Sequence, residues 1–206
     1  MKTLLIATKN QGKLKEISQF LSDLQVKVLL SLSDIGIEDE FEEKGKTYKE
    51  NSQNKAIFYA AKSGLPAIAD DGGIEIDALG GAPGIKSRRW LGWQASDEEL
   101  VEHMKKIAKE LPKNNRKAYF RTIVSLALPN GKVWSSFGEV EGEISEKPHL
   151  KLIKGYPYRS FFYLPKIKKF YHESDLSDKE QKLYNHRYKA IQKLIPIIRK
   201  ELGIKI

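Results

Sequence analysis

The spacing of hydrophobic residues along the chain predicts strands that alternate with helices. An apolar run from Thr3 to Thr8 is typical of a buried strand, and the next apolar residues have helical spacing: Leu14, Ile17, Phe20 and Leu21. A second strand is predicted from Val26 to Leu30. After Pro66, a short apolar strand ends at two adjacent acids, and a half-buried strand follows it.

Three capping-box motifs, in which Ser or Thr is followed three residues later by Glu, predict helix starts. They begin at Thr47, Ser96 and Ser177. The first helix should run to about Lys62. A further helix is predicted after Asn185, with Pro196 kinking or restarting it and Gly203 ending it.

Two long strands are predicted at 117–128 and 133–144, joined by Asn130-Gly131, the strongest short hairpin signal. A wide β-hairpin packed on layers of helix and strand places the chain in the α/β class. A length of 206 residues fits one domain with a good core and room for two lobes. No repeat or linker divides the chain.

The stretch from Ala67 to Arg89 contains the adjacent acids Asp70 and Asp71, followed by Gly72 and Gly73. Two neighbouring carboxylates repel each other unless a cation or strong donors lie between them. Mg²⁺ suits this position, because it takes oxygen ligands and bridges carboxylate to phosphate. An acidic strand end that faces water explains this stretch equally well.

A loop between the first strand and the first helix contains candidate phosphate ligands: Thr8, Asn10, Gly12 and Lys13. A helix start presents backbone N–H groups to an anion, and Lys13 would add a full charge. The motif is not a Walker A loop, because the second glycine and the Lys-Ser/Thr pair are absent. An ordinary strand–turn–helix is the alternative.

Composition narrows the class of protein. There is no cysteine, so thiolate nucleophiles and disulfides are excluded, and the four histidines have no metal-ligand spacing. No apolar run approaches the roughly 18 residues of a membrane span, and the start shows no signal-peptide pattern, which predicts a cytoplasmic protein.

Residues 146–206 hold 15 basic and 6 acidic residues, an excess equal to the whole net charge of +9. This basic end could attract a polyanion, but a solvated lysine-rich surface is the simpler interpretation.

The most aromatic segment runs from Lys154 to Pro165 and includes Tyr156 and Tyr158. Stacked rings can hold a flat nucleobase. Aromatic residues at this density are also common in cores, and that interpretation is favoured for Phe161 and Phe162.

Five motifs in order make the chain resemble the non-canonical purine NTP pyrophosphatases, the inosine triphosphate pyrophosphatase family. The resemblance covers nearly the whole chain. Its motifs are the loop at 8–13 with Glu16, the segment Thr47 to Ala56, the stretches 69–73 and 77–85, the pair Ser87 and Arg89, and His186-Arg187 with Ala190.

The resemblance implies a long, mixed, twisted β-sheet with flanking helices, and an active-site cleft between two lobes of a single bilobal domain (1–206). Family members hydrolyse ITP, dITP and XTP to monophosphate and pyrophosphate with Mg²⁺, usually as homodimers. Nucleic acid and membranes are not expected partners. By resemblance, Asp71 activates water, and Glu43 and Asp70 help to hold the metal. Lys13 and Lys55 would bind the triphosphate, with Gly72 beside them. The residues that would bind the purine are Tyr156, Tyr158, His186 and Arg187.

The chain departs from the family pattern mainly in the base-binding half. Gly72 stands where the family usually has Ser, Arg159 replaces an Asp, and Gln181 replaces a Lys. Arg159 and Gln181 are therefore further candidates for the site, as is Arg89, which matches a family motif. Two alternatives follow: the same reaction with a different base preference, or an impaired homologue that binds nucleotide without turnover.

Overall fold

Seven strands form one sheet with helices beside it in the computed structural model, which describes residues 3–24 and 28–204. The strands are β1 (Thr3–Ile6), β2 (Val28–Ser31), β3 (Ala67–Ile76), β4 (Lys117–Ala127), β5 (Val133–Ile144), β6 (Phe162–Leu164) and β7 (Lys169–Phe170). Their order is β2-β1-β3-β4-β5-β6-β7. β1 pairs in parallel with β2 and β3, and β6 pairs antiparallel with β5 and β7. The predicted α/β class and mixed sheet are confirmed.

The described residues contain five α-helices: α1 (Gln11–Leu21), α2 (Tyr48–Ser63), α3 (Asp97–Glu110), α4 (Asp178–Tyr184) and α5 (His186–Leu202). Complete capping boxes begin α3 at Ser96 and α4 at Ser177, as predicted. At α2, Thr47 Oγ1 accepts a hydrogen bond from the Glu50 N–H, but the Glu50 carboxylate accepts from the Lys46 N–H. Only half of that capping box therefore forms.

Three sequence predictions need correction or lie outside the described residues. β3 is one strand of ten residues, so Gly72 and Gly73 do not interrupt it. α5 runs through Pro196 as one helix instead of restarting there, and it ends before Gly203 as predicted. Val26 lies outside the described residues.

The Asn130-Gly131 turn forms as predicted. Leu128 N–H donates to the Lys132 carbonyl at 2.9 Å, and Gly131 has a φ of 85°, a conformation that glycine adopts without steric cost.

Backbone contacts divide the chain into two compact units, and the chain passes between them within β3, β4 and β5 and at the start of α5. The first unit is Met1–Asp71, Thr122–Gly138 and Arg187–Ile206, and the second is Gly72–Arg121 and Glu139–His186. A single bilobal domain with a cleft stays a prediction.

The first unit has an apolar layer on each face of its strands, because successive side chains of a strand point to opposite faces. Leu4 and Ile6 of β1 pack in a cluster with buried residues of α1 and α5. Leu5 and Ala7 pack in another cluster with α2. Alternation in β1 therefore separates α1 and α5 from α2.

The second unit has its own core, in which α3 packs on strand residues. Leu100 and Met104 of α3 are fully buried with Ile74 and Ile76 of β3. Phe161 and Phe162 are also fully buried there, which confirms their predicted core role.

Candidate active site

Asp70 and Asp71 lie at the end of the first unit's part of β3, both buried. Because they are neighbours on a strand, their side chains point to opposite faces. Asp70 contacts residues of α1 and α5, whereas Asp71 contacts α2. The two carboxylates thus have different hydrogen-bond partners, although the charges of Lys13 and Lys55 lower the pKa of both.

Asp70 is held by two cations on one oxygen. Its Oδ2 lies 3.1 Å from Lys13 Nζ and accepts a hydrogen bond from Arg187 Nε at 3.0 Å. Burial alone would raise the pKa of this carboxyl, but Lys13 and Arg187 hold it well below its usual range. Its other oxygen, Oδ1, is buried without a hydrogen-bond partner. Asp70 is therefore ionised and keeps one oxygen available to a further cation.

Asp71 has a different environment, centred on the amide of Asn51. Asn51 Nδ2 donates to Asp71 Oδ2 at 2.9 Å, and Asn51 Oδ1 accepts from the Gly45 N–H at 2.7 Å. Burial first, and then the negative charge of Glu43, raises the pKa of Asp71 to about 6. A carboxyl in this range can exchange a proton near neutral pH.

Glu43 forms an ion pair with Lys55, which projects from α2. Burial opposes the charge on both groups, but each partner's charge outweighs it, so that the pKa of Glu43 is lowered and that of Lys55 is raised. Lys55 follows Asn51 by four residues, and this spacing puts both on one face of α2. That face therefore carries a donor for Asp71 and a cation for Glu43.

The predicted phosphate loop forms the start of α1. Asn10 caps the helix, because its Oδ1 accepts from the Lys13 N–H at 3.0 Å. Thr8 Oγ1 accepts from the Asn10 N–H at 3.2 Å, so both side chains shape the turn. Gly12 is the second residue of α1. Lys13 reaches Asp70 from this helix, which joins the predicted phosphate and metal residues in one unit.

Arg187, which the resemblance assigns to the base, contacts this acidic group. Besides Asp70, its guanidinium pairs with Glu16 of α1. Arg187 is only 3% exposed. Its role in binding the purine stays a prediction. The contacts given by the structure are with Asp70, which is buried, and Glu16, which is half-buried.

The other base-binding candidates belong to the second unit. The guanidinium of Arg159 is buried over the ring of Tyr156, 3.8 Å from its centroid, and lies 4.6 Å from that of Tyr171. Tyr158 Oη donates to the Ser87 carbonyl at 2.5 Å. Arg159 therefore stacks between aromatic rings and does not extend into solvent.

His186, Gln181 and Arg89 also have local structural contacts. His186 Nδ1 lies 3.1 Å from Tyr171 Oη, and its ring stacks on Phe120 at 5.4 Å. Gln181 Nε2 donates to the Leu176 carbonyl at 3.3 Å. Arg89 is half-buried at the end of the 3₁₀ turn Gly84–Arg89. Their roles toward a nucleotide stay predictions.

Sequence reasoning gave no role to two residues of this site, Asn51 and Gly45. Asn51 is 1% exposed and orients Asp71, and its position one helical turn before Lys55 is the signal that could have identified it. A Cβ on Gly45 would lie 2.5 Å from Asn51 Oδ1. Gly45 is therefore needed for a close approach that sequence alone does not reveal.

Among the described residues, no helix is long and apolar enough to cross a membrane.

Comparison with known proteins gives consistent matches over nearly the whole chain. The model of the Ham1 family matches residues 4–197. A dITP/XTP pyrophosphatase of Desulforamulus reducens is 35% identical over 195 residues, which cover 95% of this chain and 94% of that protein. One from Thermus thermophilus is 38% identical over 192 residues, 93% of this chain and 89% of the relative.

Solved structures match the fold equally well. The Ham1 protein of Staphylococcus aureus has a TM-score of 0.78 and 30% identity, covering 97% of this chain and all of that one (100%). A HAM1 protein from Coxiella burnetii has a TM-score of 0.80 and 30% identity over the same shares, 97% and 100%.

Proposed function

This chain belongs to the Ham1 family, and from that premise we propose that it hydrolyses ITP, dITP and XTP to the nucleoside monophosphate and pyrophosphate. The observation that carries the proposal is the environment of Asp71. A buried carboxyl is oriented by Asn51 and has its pKa raised to about 6, beside the Glu43–Lys55 ion pair. This combination suits a base that takes a proton from water.

Enzymes of this family are generally metal-dependent, and we propose Mg²⁺ as the ion. The donor set is made of carboxylate oxygens, which Mg²⁺ prefers. Asp70 keeps a buried, unpartnered Oδ1, and Glu43 raises the pKa of nearby Asp71, so a cation would relieve both. Asp70, Asp71 and Glu43 would hold the ion, which would neutralise charge on the phosphate oxygens.

The remaining side chains of the site would bind phosphate and orient the attacking water. Asp71 would accept the proton, with its position fixed by Asn51. Lys55 and Lys13 are buried or half-buried cations that would exchange part of their contact with Glu43 and Asp70 for phosphate oxygens. The N-terminus of α1, where Thr8, Asn10 and Gly12 lie, would add backbone donors.

Base selection would depend on Tyr156, Tyr158, His186 and Arg187. A 6-keto oxygen accepts hydrogen bonds whereas the adenine amine donates them, so a donor such as Arg at that edge selects hypoxanthine and xanthine. The stacking of Arg159 on Tyr156 favours the second candidate function, the same reaction with an altered base preference. A homodimer, as the resemblance implies, is part of the same proposal.

Replacement of Asp71, the proposed general base, tests the reaction directly. With Mg²⁺ and ITP, Asp71→Asn should lower kcat by at least about 100-fold, because a positioned general base contributes on that order. Circular dichroism should show an unchanged fold. Asp77→Asn, a neighbouring exposed acid, is the matched control and should keep full activity. Full turnover by Asp71→Asn would remove the mechanism.

A substrate panel separates the two candidate functions. Pyrophosphate release from ITP, XTP, dUTP, GTP and ATP should be fastest for ITP and XTP. A clear preference for another base would support altered specificity. Release from none of them would leave an impaired nucleotide-binding homologue.

A further inference from the structure

A second group of side chains that can ligate a metal lies in the second unit. His149 precedes β6 in a long connection, and His172 and Asp175 follow β7. One ligand atom from each residue lies within 4.8 Å of the other two. The three residues do not take part in the proposed hydrolysis.

His172 shows that this group is more than a surface ion pair. It is 3% exposed, and its Nε2 is buried without a hydrogen-bond partner. Buried polar atoms are nearly always paired in native proteins, so such an atom requires an explanation. A bound cation would supply the missing partner.

The distances in the group are close to those of a metal site. His149 Nε2 and Asp175 Oδ1 are 3.2 Å apart. Ligands about 2.0–2.1 Å from a tetrahedral zinc ion lie about 3.3 Å from each other. The His149 and His172 rings stack with their centroids 4.0 Å apart, which keeps the two imidazoles in one group.

The outer nitrogens of both rings have oxygen acceptors. His149 Nδ1 lies 3.1 Å from the Lys151 carbonyl, and His172 Nδ1 lies 2.8 Å from Ser174 Oγ. A ligating histidine needs its proton on the outer nitrogen, donated to such an acceptor. The backbone N–H of Lys151 donates to His149 Nδ1 at 3.1 Å, and that of Ser174 donates to His172 Nδ1 at 3.1 Å. Zinc binding through Nε2 would therefore move one proton on each ring and cost both bonds.

We propose that His149, His172 and Asp175 form a Zn²⁺ site. Two imidazoles and one carboxylate favour zinc over Mg²⁺, which prefers oxygen ligands, and a water would complete the tetrahedron.

The site would act as a clamp on the connection between β5 and β6. The backbone N–H of His149 donates to the carbonyl of Ser160 at 2.7 Å, and Ser160 is next to Arg159 in the chain. Zinc bound at both ends of the segment 149–172 would therefore stabilise the loop that carries Tyr156 and Tyr158. The role is structural, and no chemical step uses the ion.

Zinc binding can be measured without any enzymatic readout. Purified full-length protein, stripped with chelator and kept in excess Mg²⁺, is titrated with Zn²⁺ by calorimetry. We expect one zinc per chain. His149→Gln, His172→Gln and Asp175→Asn should each weaken binding by at least about tenfold, the effect seen when even an outer partner is lost. His103→Gln, which removes a histidine outside the group, should bind as the wild type.

Thermal unfolding supplies a second measurement. Zinc at about 100 times its Kd should raise the Tm of the wild type by roughly 5–10 °C. The rise in Tm of His149→Gln at the same zinc concentration should be much smaller. If His172→Gln does not fold, His149→Gln and Asp175→Asn decide, because both side chains are partly exposed. No saturable binding, or equal binding by all variants, would overturn the site, whatever the outcome of the hydrolysis assay.

Discussion

Asp71 and its neighbour Asp70 show how two identical side chains acquire opposite properties on one strand. Asp70 meets Lys13 and Arg187 and is held ionised. Asp71 is buried beside Glu43, with one amide donor from Asn51, and its pKa rises to about 6. Alternation along the strand causes the difference, because it sends the two carboxyls to different helices.

The raised pKa of Asp71 predicts a cost in stability for the metal-free protein. A carboxyl whose folded pKa is above its unfolded value of 3.8 stabilises the fold fully below that value, and this contribution is lost as the pH rises through about 6. In EDTA at pH 8, Asp71→Asn should therefore be more stable than the wild type by about 1–3 kcal/mol. The advantage should shrink toward pH 4.

Guanidinium unfolding of both proteins at several pH values measures this difference. Asp77→Asn serves as the control, since that acid is exposed. A loss of stability in Asp71→Asn at pH 8, or a difference that does not change with pH, would contradict the assigned pKa.

Asn51 is a positioning residue, because it acts through Asp71. Its hydrogen bond also lowers the pKa of Asp71 against the effect of burial. Asn51→Ala should reduce kcat by about 10- to 100-fold and move the acidic limb of the kcat/KM profile to higher pH. Gly45→Ala should act in the same direction, because its Cβ would displace the Asn51 amide.

The pH–rate profile is the deciding measurement, since a general loss of structure would lower the rate without moving the limb. Asn54→Ala, on the exposed side of α2, should leave both the rate and the profile unchanged. An unmoved limb in Asn51→Ala would leave Asn51 with a packing role only.

At the scale of elements, local signals were sufficient for most of the fold. The capping boxes at Ser96 and Ser177, the Asn130-Gly131 turn and the helical spacing in α1 and α5 all depend on residues within one or two turns. β3 was divided in two because glycine weakens a strand, but pairing with its neighbours in the sheet keeps it continuous. At this position the pairing of strands in the sheet outweighs the local conformational preference of glycine.

The cap of α3 gives a prediction for a single element. Ser96→Ala removes the acceptor for the Glu99 N–H and should destabilise the protein by about 1 kcal/mol, lowering Tm by roughly 2–4 °C. Differential scanning fluorimetry tests this. Lys109→Ala, an exposed position of the same helix, should change Tm little, and a similar loss in both variants would show that the cap is not responsible.

At the scale of the whole molecule, the spacing of residues in the sequence does not predict which distant side chains come into contact. Spacing brought Asn51 near Lys55, but no spacing rule predicts that Arg187 reaches Asp70, which is 117 positions earlier. The same limit applies to His149 and His172, whose separation along the chain hid a compact group. Such contacts depend on strand order and on how the chain returns to an earlier unit.

Arg187 carries the last prediction, because it joins the final segment of the chain to α1 and β3. Asp70 is fully buried, so Arg187→Ala would leave a buried carboxylate with Lys13 as its remaining cation partner among the described contacts. Breaking one side of a buried pair costs about 3–5 kcal/mol, which chemical unfolding would measure. Arg88→Ala, which breaks an exposed pair with Asp97, should cost no more than about 1 kcal/mol. Wild-type stability in Arg187→Ala, together with a changed preference for ITP over ATP, would instead assign Arg187 to the base alone.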